Sequence, residues 1–251
     1  MSTHRFYLAP EEWTAAEPGL DPSDSHHCVD VLRLGPGDSI VVFDGLGTVA
    51  QAELTEVRRK RCLLRIGEAH VAPGLPCAIT LVQSVPKGKN MDLILQKAVE
   101  LGASAIIPLL STRTVVKVDD AADAARKRER WQQIALEACK QCGRNAVPRV
   151  ALPVTPSALF SEVPAPDLVL LASLQPGAVG IKEALARATA VAEGKLPSSV
   201  AVLVGPEGDF TAGEIAGFLA MGAVPITLGP MILRAETAAL YSLSVLAHEL
   251  F

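Results

Sequence analysis

Up to about residue 72, the apolar positions fall in short segments with the pattern of β-strands. The segments DSIVVFDG, TVAQAELTEV and CLLRIGEAHV are rich in Val, Ile, Leu and Thr and are bounded by Gly, Pro and Asp. Short strands at this spacing are typical of a small barrel. We therefore predict a β-barrel over residues 1–72, with the segment APGLPC (72–77) as the boundary.

After this boundary, apolar runs of strand length alternate with segments of helical period. The predicted strands are ITLVQSV, AIIPLL, DLVLLAS, SVAVLVG and VPITLG, and the predicted helices are MDLILQKAVELG, about 121–142, IKEALARATAVAE, TAGEIAGFLAMG and about 233–250. Gly102 is predicted to end the first of these helices, and Thr211 with Glu214 has the spacing of a capping box. Repeated βα units predict an α/β fold over residues 73–251, with a mostly parallel sheet covered by helices.

Two turns rich in Gly and Pro follow predicted strands, in LVGPEGDFTAGEI (203–215) and LGPMILRAETAAL (228–240). In parallel sheets, ligands bind beyond the carboxyl ends of the strands, and glycines let backbone N–H groups approach them. A phosphate is disfavoured because Glu207 and Asp209 lie in the first turn and no GxxxxGK[ST] motif is present. A ligand with adenine, ribose hydroxyls and a cation fits better, and the alternative is a pair of turns without a ligand.

Composition and charge narrow the class of protein. The chain has 251 residues, 49% of them hydrophobic, and a formal net charge of −4. No apolar run reaches the ~18–20 residues of a membrane span, and the first residues lack the apolar core of a signal peptide, so we expect a cytoplasmic protein. Residues 113–149 hold nine basic and five acidic side chains, which predicts either a phosphate-binding patch or a solvated helix face.

Three local motifs are interpreted as structural. The CxxC pair Cys139 and Cys142 has no second pair at zinc spacing and ends a helical run, so we interpret it as two helical thiols. His26 and His27 would face opposite ways on a strand, so no metal site is predicted. The GxGxxA match at 45–50 is followed by the strand-like AELTEV, which indicates a hairpin turn rather than a dinucleotide site.

GPEG before a helix, followed by LGxxILRxETA, resembles the RsmE family, the bacterial small-subunit ribosomal RNA methyltransferases that make N3-methyluridine. This family belongs to the SPOUT superfamily of methyltransferases that depend on S-adenosylmethionine. The resemblance extends over almost the whole chain. Its other parts are His4-Arg5-Phe6, the run 26–34 with Gly37-Asp38, Lys87-Gly88-Lys89 with the run 96–102, and Trp131, Glu137, Ala138, Gln141, Arg144 and Pro148.

The resemblance implies a PUA-like, RNA-binding β-barrel at 1–72 and a SPOUT α/β methyltransferase domain at 73–251 with a C-terminal trefoil knot. It implies a homodimer that acts on 16S ribosomal RNA or the assembled small subunit, with S-adenosyl-L-methionine as cofactor and without membrane or metal. The implied cofactor-binding residues are Leu203, Val204, Gly205, Glu207, Gly208, Leu228, Gly229, Ile232 and Leu233. At two positions the chain departs from the family pattern: Asp209 replaces a glycine, and Met231 replaces a basic residue.

Methyl transfer to uridine N3 requires removal of the N3 proton and alignment of the donor methyl group. The family match makes Glu236 the candidate base and Arg234 the candidate stabiliser of the uracil anion, whereas the structural alternative is an ion pair between them that caps the last helix. Substrate RNA is expected to contact Arg5 and Arg33 of the barrel and Lys89, Lys97, Arg113, Gln141 and Arg144 of the other domain, of which Arg5 and Arg144 also match family motifs. For each of them, the alternative is a solvated surface charge.

Two other functions stay open at this point. One is a related enzyme with the same cofactor that methylates ribose 2′-hydroxyls or another RNA. The other is a non-catalytic RNA-binding protein that keeps the fold without the cofactor, and Asp209 and Met231 are the residues that keep this hypothesis open.

Overall fold

The computed structural model describes residues 4–58, 60–161 and 165–251 of the chain. The chain folds into two compact units, each with its own sheet. The first unit comprises Met1–Gly74 and Leu136–Val147, and the second comprises Leu75–Ala135 and Pro148–Phe251. Within the described residues, no helix has both the length and the apolar character that crossing a membrane requires.

A four-stranded sheet with the order β1-β2-β3-β4 forms the first unit. Its strands are β1 (Arg5–Tyr7), β2 (Ser39–Phe43), β3 (Thr48–Glu56) and β4 (Leu63–Val71). Strand β1 is parallel to β2, and the other neighbours are antiparallel. Gly45 and Gly47 have positive φ angles of 76° and 116° in the short connection from β2 to β3, which confirms the predicted hairpin turn.

The core of the first unit lies on one face of this sheet. Phe6, Ile40, Val42 and Leu54 have at most 1% of their surface exposed and pack together. Because side chains alternate between the two faces of a strand, a period of two in the sequence places one set of side chains in this core.

The segment around His26 and His27 is helical, which corrects the predicted strand. Helix α1 (Pro22–His26) begins after Asp21, and a π-helical turn, His27–Val31, continues it. The reason lies just upstream, because an Asp at the N-cap followed by Pro at the first helical position is a strong start signal. A 3-10 helix, Pro10–Thr14, precedes this segment.

The second unit is a seven-stranded sheet with the order β7-β6-β5-β10-β8-β11-β9, and all its paired neighbours are parallel. Its strands are β5 (Ala78–Ser84), β6 (Ala103–Leu109), β7 (Arg149–Val150), β8 (Leu168–Ala172), β9 (Val179–Gly180), β10 (Ser199–Val204) and β11 (Val224–Thr227). The helices of the chain after α1 are α2 (Asn90–Glu100), α3 (Ala121–Cys142), α4 (Ile181–Val191), α5 (Ala212–Ala220) and α6 (Ala235–Leu250), and a 3-10 helix spans Pro156–Ser161. The predicted α/β fold with a parallel sheet is confirmed.

Helix α3 belongs to both units, since its residues up to Ala135 lie in the second and those from Leu136 lie in the first. The first unit therefore includes a helical segment that is distant from it in the sequence. Cys139 and Cys142 are free thiols on this helix.

The predicted ends of two helices have the expected geometry. Gly102 follows α2 with φ 90°, and a Cβ atom at this position would lie 2.3 Å from the Phe251 ring, so only glycine fits. Thr211 and Glu214 form the complete capping box at the start of α5.

Strands β10, β8 and β11 are neighbours in the sheet, so their carboxyl ends lie side by side. Ile226 of β11 pairs with Ala172 of β8 on one side and with Val179 of β9 on the other. The chain segments that leave these strands are therefore brought together at one edge of the second unit.

Candidate functional site

A pocket lies at this edge of the second unit. Both turns rich in Gly and Pro line it: residues 205–209 after β10 (the first turn) and residues 228–233 after β11 (the second turn). The residues that line the pocket are Ala172, Ser173, Leu174, Val204, Gly205, Pro206, Glu207, Asp209, Leu228, Gly229, Met231, Ile232, Leu233, Ala235 and Ala238.

The walls of the pocket are mainly apolar, and its mouth is open. The enclosed volume is about 100 Å³, below the roughly 300 Å³ at which ligand pockets usually begin. Met231 and Ile232 are 73% and 84% exposed. A ligand held in this open cleft would cover apolar side chains that now face solvent.

The first turn is tied to the loop that follows β5. The backbone N–H of Lys87 donates a hydrogen bond to Glu207 Oε1 at 2.9 Å. Within the turn, the N–H of Asp209 donates to the carbonyl oxygen of Pro206 at 2.9 Å. The Glu207 carboxylate is therefore oriented by a backbone group while it lines the pocket.

Asp209 has a φ angle of 61°, in the left-handed region. Asp tolerates this conformation better than most residues because its short polar side chain forms local hydrogen bonds. Asp209 Oδ1 accepts such a bond from the N–H of Phe210 at 2.7 Å. The replacement of glycine by Asp is thus compatible with the backbone of this turn.

Arg113 lies against the first turn. Its guanidinium donates a hydrogen bond to the carbonyl oxygen of Gly208 at 2.5 Å. A Cβ atom on Gly208 would lie 3.3 Å from Arg113 Cδ, so the absence of a side chain at this position allows the close contact.

Glu214 connects helix α5 to the loop that follows β6, which also carries Arg113. Its Oε1 accepts hydrogen bonds from the N–H and hydroxyl of Thr112 at 2.7 and 3.0 Å, and its Oε2 accepts from the N–H and hydroxyl of Thr211 at 2.8 and 2.9 Å. Burial acts to raise the pKa of Glu214, but these four hydrogen bonds stabilise the carboxylate and hold its pKa below the usual value.

The second turn has far fewer contacts. The N–H of Gly229 donates to Thr227 Oγ1 at 3.3 Å, and that hydroxyl donates to the Gly229 carbonyl oxygen at 3.4 Å. Gly229 has φ 109°, a conformation that favours glycine. This turn is held mainly by its two ends, β11 and α6.

Seven of the nine predicted cofactor-binding residues line this one pocket, and two do not. Leu203 is completely buried in the core of the second unit, and Gly208 contacts Arg113 instead. The sequence analysis did not predict that the end of β8 lines the pocket, although DLVLLAS is also an apolar strand of the parallel sheet. It also missed the start of α6. The missed lining residues are Ala172, Ser173, Leu174, Pro206, Asp209, Met231, Ala235 and Ala238.

Arg234 and Glu236 stand on either side of the pocket-lining Ala235 at the start of α6. Arg234 is the exposed N-cap residue, and Glu236 is half-buried in the first turn of the helix. Neither side chain makes an ion pair or hydrogen bond within the described part of the chain. The alternative interpretation, an ion pair that caps the helix, is therefore not what the structure has.

Four of the predicted RNA-binding residues lie in the first unit. Arg5 donates to Asn145 Oδ1 at 2.6 Å and lies over the Phe43 ring, and burial lowers the pKa of both Arg5 and Arg144. Gln141 is exposed, as is Arg33, whose φ angle of 56° is in the left-handed region.

The other three belong to the second unit. Lys89 is exposed at the start of α2, and Lys97 forms an exposed ion pair with Glu100 at 2.8 Å. Arg113 is engaged with the first turn of the pocket.

The chain is similar to known RNA methyltransferases over both of its units. A family model described as an RNA methyltransferase domain matches residues 73–247, and one described as an RNA methyltransferase PUA domain matches residues 20–67. Ribosomal RNA small subunit methyltransferase E of Bacillus subtilis is 37% identical over 226 residues, which covers 89% of this chain and 87% of that protein. The protein of the same name from Synechocystis is 33% identical over 243 residues, which covers 95% of this chain and 75% of that protein.

A solved structure has the same fold over almost the whole chain. It is a ribosomal RNA small subunit methyltransferase E from Neisseria gonorrhoeae bound to S-adenosyl methionine. It is 32% identical to this chain, the comparison covers 99% of this chain and 98% of that one, and the TM-score is 0.83.

Proposed function

We propose that this chain, which belongs to the ribosomal RNA small subunit methyltransferase E family, methylates N3 of a specific uridine in 16S ribosomal RNA. The chain is an RNA methyltransferase that uses S-adenosylmethionine and acts on ribosomal RNA of the small subunit. The choice of N3 as the methylated atom, and the residues that carry out the transfer, are the parts that we propose.

The observation that supports this function is the meeting of the two turns in one pocket, with Arg234 and Glu236 at its border. The residues fit the cofactor. Leu228 and Ile232 offer apolar surface to an adenine ring, and the carboxylates of Glu207 and Asp209 suit ribose hydroxyls and a cationic sulfonium.

S-adenosylmethionine, when bound, supplies an electrophilic methyl group. Glu236 removes the N3 proton of uridine, directly or through one water, and so provides the nucleophilic nitrogen. Arg234 places a positive charge near the uracil anion that results. Both side chains make no other hydrogen bond within the described residues, so both are available for these roles.

The first unit is the proposed RNA-binding part, as a PUA-like barrel over residues 1–72. Arg5, Arg33, Gln141 and Arg144 are its proposed contacts, and Lys89 and Lys97 are those of the second unit. Arg113 is a further proposed RNA contact of the second unit, and its guanidinium also donates to the Gly208 carbonyl oxygen.

A trefoil knot over the C-terminal part is proposed as well. Ala172 and Val179 flank Ile226 on opposite sides, so segment 173–178 has to cross β11, beyond which the chain continues into the second turn. Such a crossing is rare in proteins, whose chains are unknotted by default. A chain that passes through one of its own loops, as in a trefoil knot, requires such a crossing.

We also propose a homodimer in the cytoplasm. Leu93 on α2 and Tyr241 on α6 are 43% and 45% exposed. Helices α2 and α6 contact each other, and exposed apolar side chains on neighbouring helices indicate a surface for another protein, which a second copy would cover.

The test is methyl transfer from labelled S-adenosylmethionine to unmodified small subunits and to naked 16S ribosomal RNA, followed by nucleoside analysis. We expect the label in N3-methyluridine. Label in a 2′-O-methylated nucleoside would show that the enzyme methylates a ribose oxygen and not N3. Binding of RNA without cofactor binding or transfer would instead support the non-catalytic alternative.

A further inference from the structure

A second pocket, here called the helix-end pocket, lies entirely within the first unit. It is formed by β1, the helical segment that includes α1, and the last turns of α3, and its volume is about 360 Å³. This volume is within the usual range for small-ligand sites. The lining residues are Arg5, Phe6, Ser23, Asp24, His27, Glu137, Lys140 and Gln141.

The charged side chains of the helix-end pocket neutralise one another. Lys140 Nζ donates to both carboxylate oxygens of Asp24, at 2.7 and 2.9 Å, and to Glu137 Oε1 at 2.9 Å. The side chains of Lys140 and Asp24 are only 14% and 9% exposed, so water screens this pair weakly. With Arg5 as the second cation, two positive and two negative charges line the pocket, and its formal charge is zero when His27 is neutral.

Arg5 is held in place at the border of this pocket rather than presented to solvent. Its guanidinium donates to Asn145 Oδ1 at 2.6 Å and lies 5.2 Å from the centre of the Phe43 ring. Its Nε is buried and has no hydrogen-bond partner among the residues that the structure describes. A buried donor without a partner is costly, and it is a reason to expect a ligand.

The groups that remain available are neutral. For the side chains of Gln141, Ser23 and His27, no hydrogen bond is found within the described ranges. The Gln141 amide offers two donors and one acceptor, and His27 offers a flat ring that meets Phe6 edge-on at 6.3 Å. Amide groups and aromatic rings are what proteins use to recognise unpaired bases in RNA.

We propose that the helix-end pocket binds one unpaired nucleobase of the substrate RNA, through hydrogen bonds with Gln141 and stacking against His27. A phosphate fits less well because Asp24 and Glu137 already balance the two cations and would repel it. The inference rests on the proposed function in one respect, that the chain binds ribosomal RNA. The base concerned is distinct from the methylated uridine, which the proposed function assigns to the pocket of the second unit.

The kinetic test compares Gln141→Ala with Gln51→Ala, which removes an exposed glutamine of the same unit outside the pocket. For Gln141→Ala we expect KM for small subunits to rise about tenfold, because the polar groups of the bound nucleobase lose their hydrogen bonds with the Gln141 amide. The affinity for S-adenosylmethionine and the melting temperature should stay unchanged. The proposal is wrong if the two variants have the same KM.

A direct binding test does not require methyl transfer. Uridine, cytidine, adenosine, guanosine and inorganic phosphate are titrated separately into the full-length protein, and the side-chain NH₂ signal of Gln141 is followed by NMR. We expect at least one nucleoside to shift this signal while phosphate does not. A shift with phosphate alone, or with none of the five compounds, overturns the proposal. If methyl transfer failed but a nucleoside shifted the signal, the proposed reaction would be wrong and the base pocket would stand.

Discussion

The two turns of the pocket in the second unit differ in how firmly the protein holds them. The first turn is connected to the rest of the unit by the N–H of Lys87, the guanidinium of Arg113 and, through helix α5, the carboxylate of Glu214. The second turn is joined to the end of β11 by two long hydrogen bonds between Gly229 and Thr227, at 3.3 and 3.4 Å, and it exposes 73% of Met231 and 84% of Ile232.

This difference indicates a division of roles. A turn that is fixed beforehand loses little conformational entropy on binding, so the first turn provides a ready surface for the ligand. The second turn has few contacts to lose, and a ligand that binds it would favour one of its conformations. The residues that we assign to chemistry follow the second turn directly, so cofactor binding and the position of Glu236 are connected through it.

The largest effect is expected for Glu236→Gln. This substitution should slow methyl transfer while the two turns still bind the cofactor. Loss of a general base lowers kcat by about 10²–10⁴-fold, while the affinity for S-adenosylmethionine should change by less than about twofold. Single-turnover transfer and calorimetric titration measure the two quantities. Glu193→Gln, an exposed residue after α4, is the control, and full turnover of Glu236→Gln with an unchanged pH profile would remove Glu236 as the base.

A smaller effect is expected when the apolar surface of the second turn is removed. In the double variant Met231→Ala and Ile232→Ala, the dissociation constant for S-adenosylmethionine should rise at least about tenfold, since each buried CH₂ contributes about 0.8 kcal/mol. The melting temperature should stay the same because both side chains are exposed in the free protein. Val191→Ala, at an 88% exposed position on α4, is the matched control. Equal affinities of the double variant and this control would mean that the second turn does not contact the ligand.

Loss of a contact that holds the first turn should weaken cofactor binding less. Arg113→Ala removes the hydrogen bond to the Gly208 carbonyl oxygen and should raise the dissociation constant for S-adenosylmethionine about fivefold. Arg126→Ala on α3 removes the same charge at a 73% exposed side chain and should have no effect on cofactor binding. If Arg113→Ala weakens RNA binding and leaves cofactor binding intact, Arg113 is an RNA contact and not part of the support for the turn.

The smallest effect concerns acid stability. The pKa of Glu214 is lowered in the folded protein, so its stabilising contribution is present above its ordinary pKa of 4.5 and is lost as the pH falls below that value. In urea denaturation between pH 6 and about 3, the free energy of unfolding of the wild-type protein should decrease more steeply than that of Glu214→Gln. Identical slopes would show that the four hydrogen bonds do not stabilise the carboxylate.

Much of the second unit could be predicted from the sequence because its central strands are continuously buried. Strand β10, for example, is buried from Val200 to Val204, and it is followed by a complete capping box at Thr211 and Glu214. Such local signals do not depend on the rest of the chain. They also predicted that Gly205 and Gly229 follow strand ends, and these two glycines line the same pocket.

The remaining features depend on contacts that no local pattern encodes. The order of the strands places β8 between β10 and β11, so Ser173 and Leu174 join the pocket. The end of α3 lies in the first unit, where Lys140 meets Asp24 across 116 positions of sequence. The strand predicted at His26 was wrong for a different reason, since the Asp21-Pro22 helix start was present in the sequence and was outweighed by the expectation of a barrel.

The measurement that tests the pocket most directly is hydrogen exchange of the backbone amides in the two turns, with and without S-adenosylmethionine. We predict that the amide of Asp209, and those of Phe210 and Thr211 just after the first turn, exchange slowly even in the free protein, because each donates a hydrogen bond. The amides of residues 229 and 231–233 should exchange rapidly in the free protein and become protected when the cofactor is added. Protection that appears elsewhere in the chain, while both turns stay unchanged, would contradict the assignment of this pocket to the cofactor.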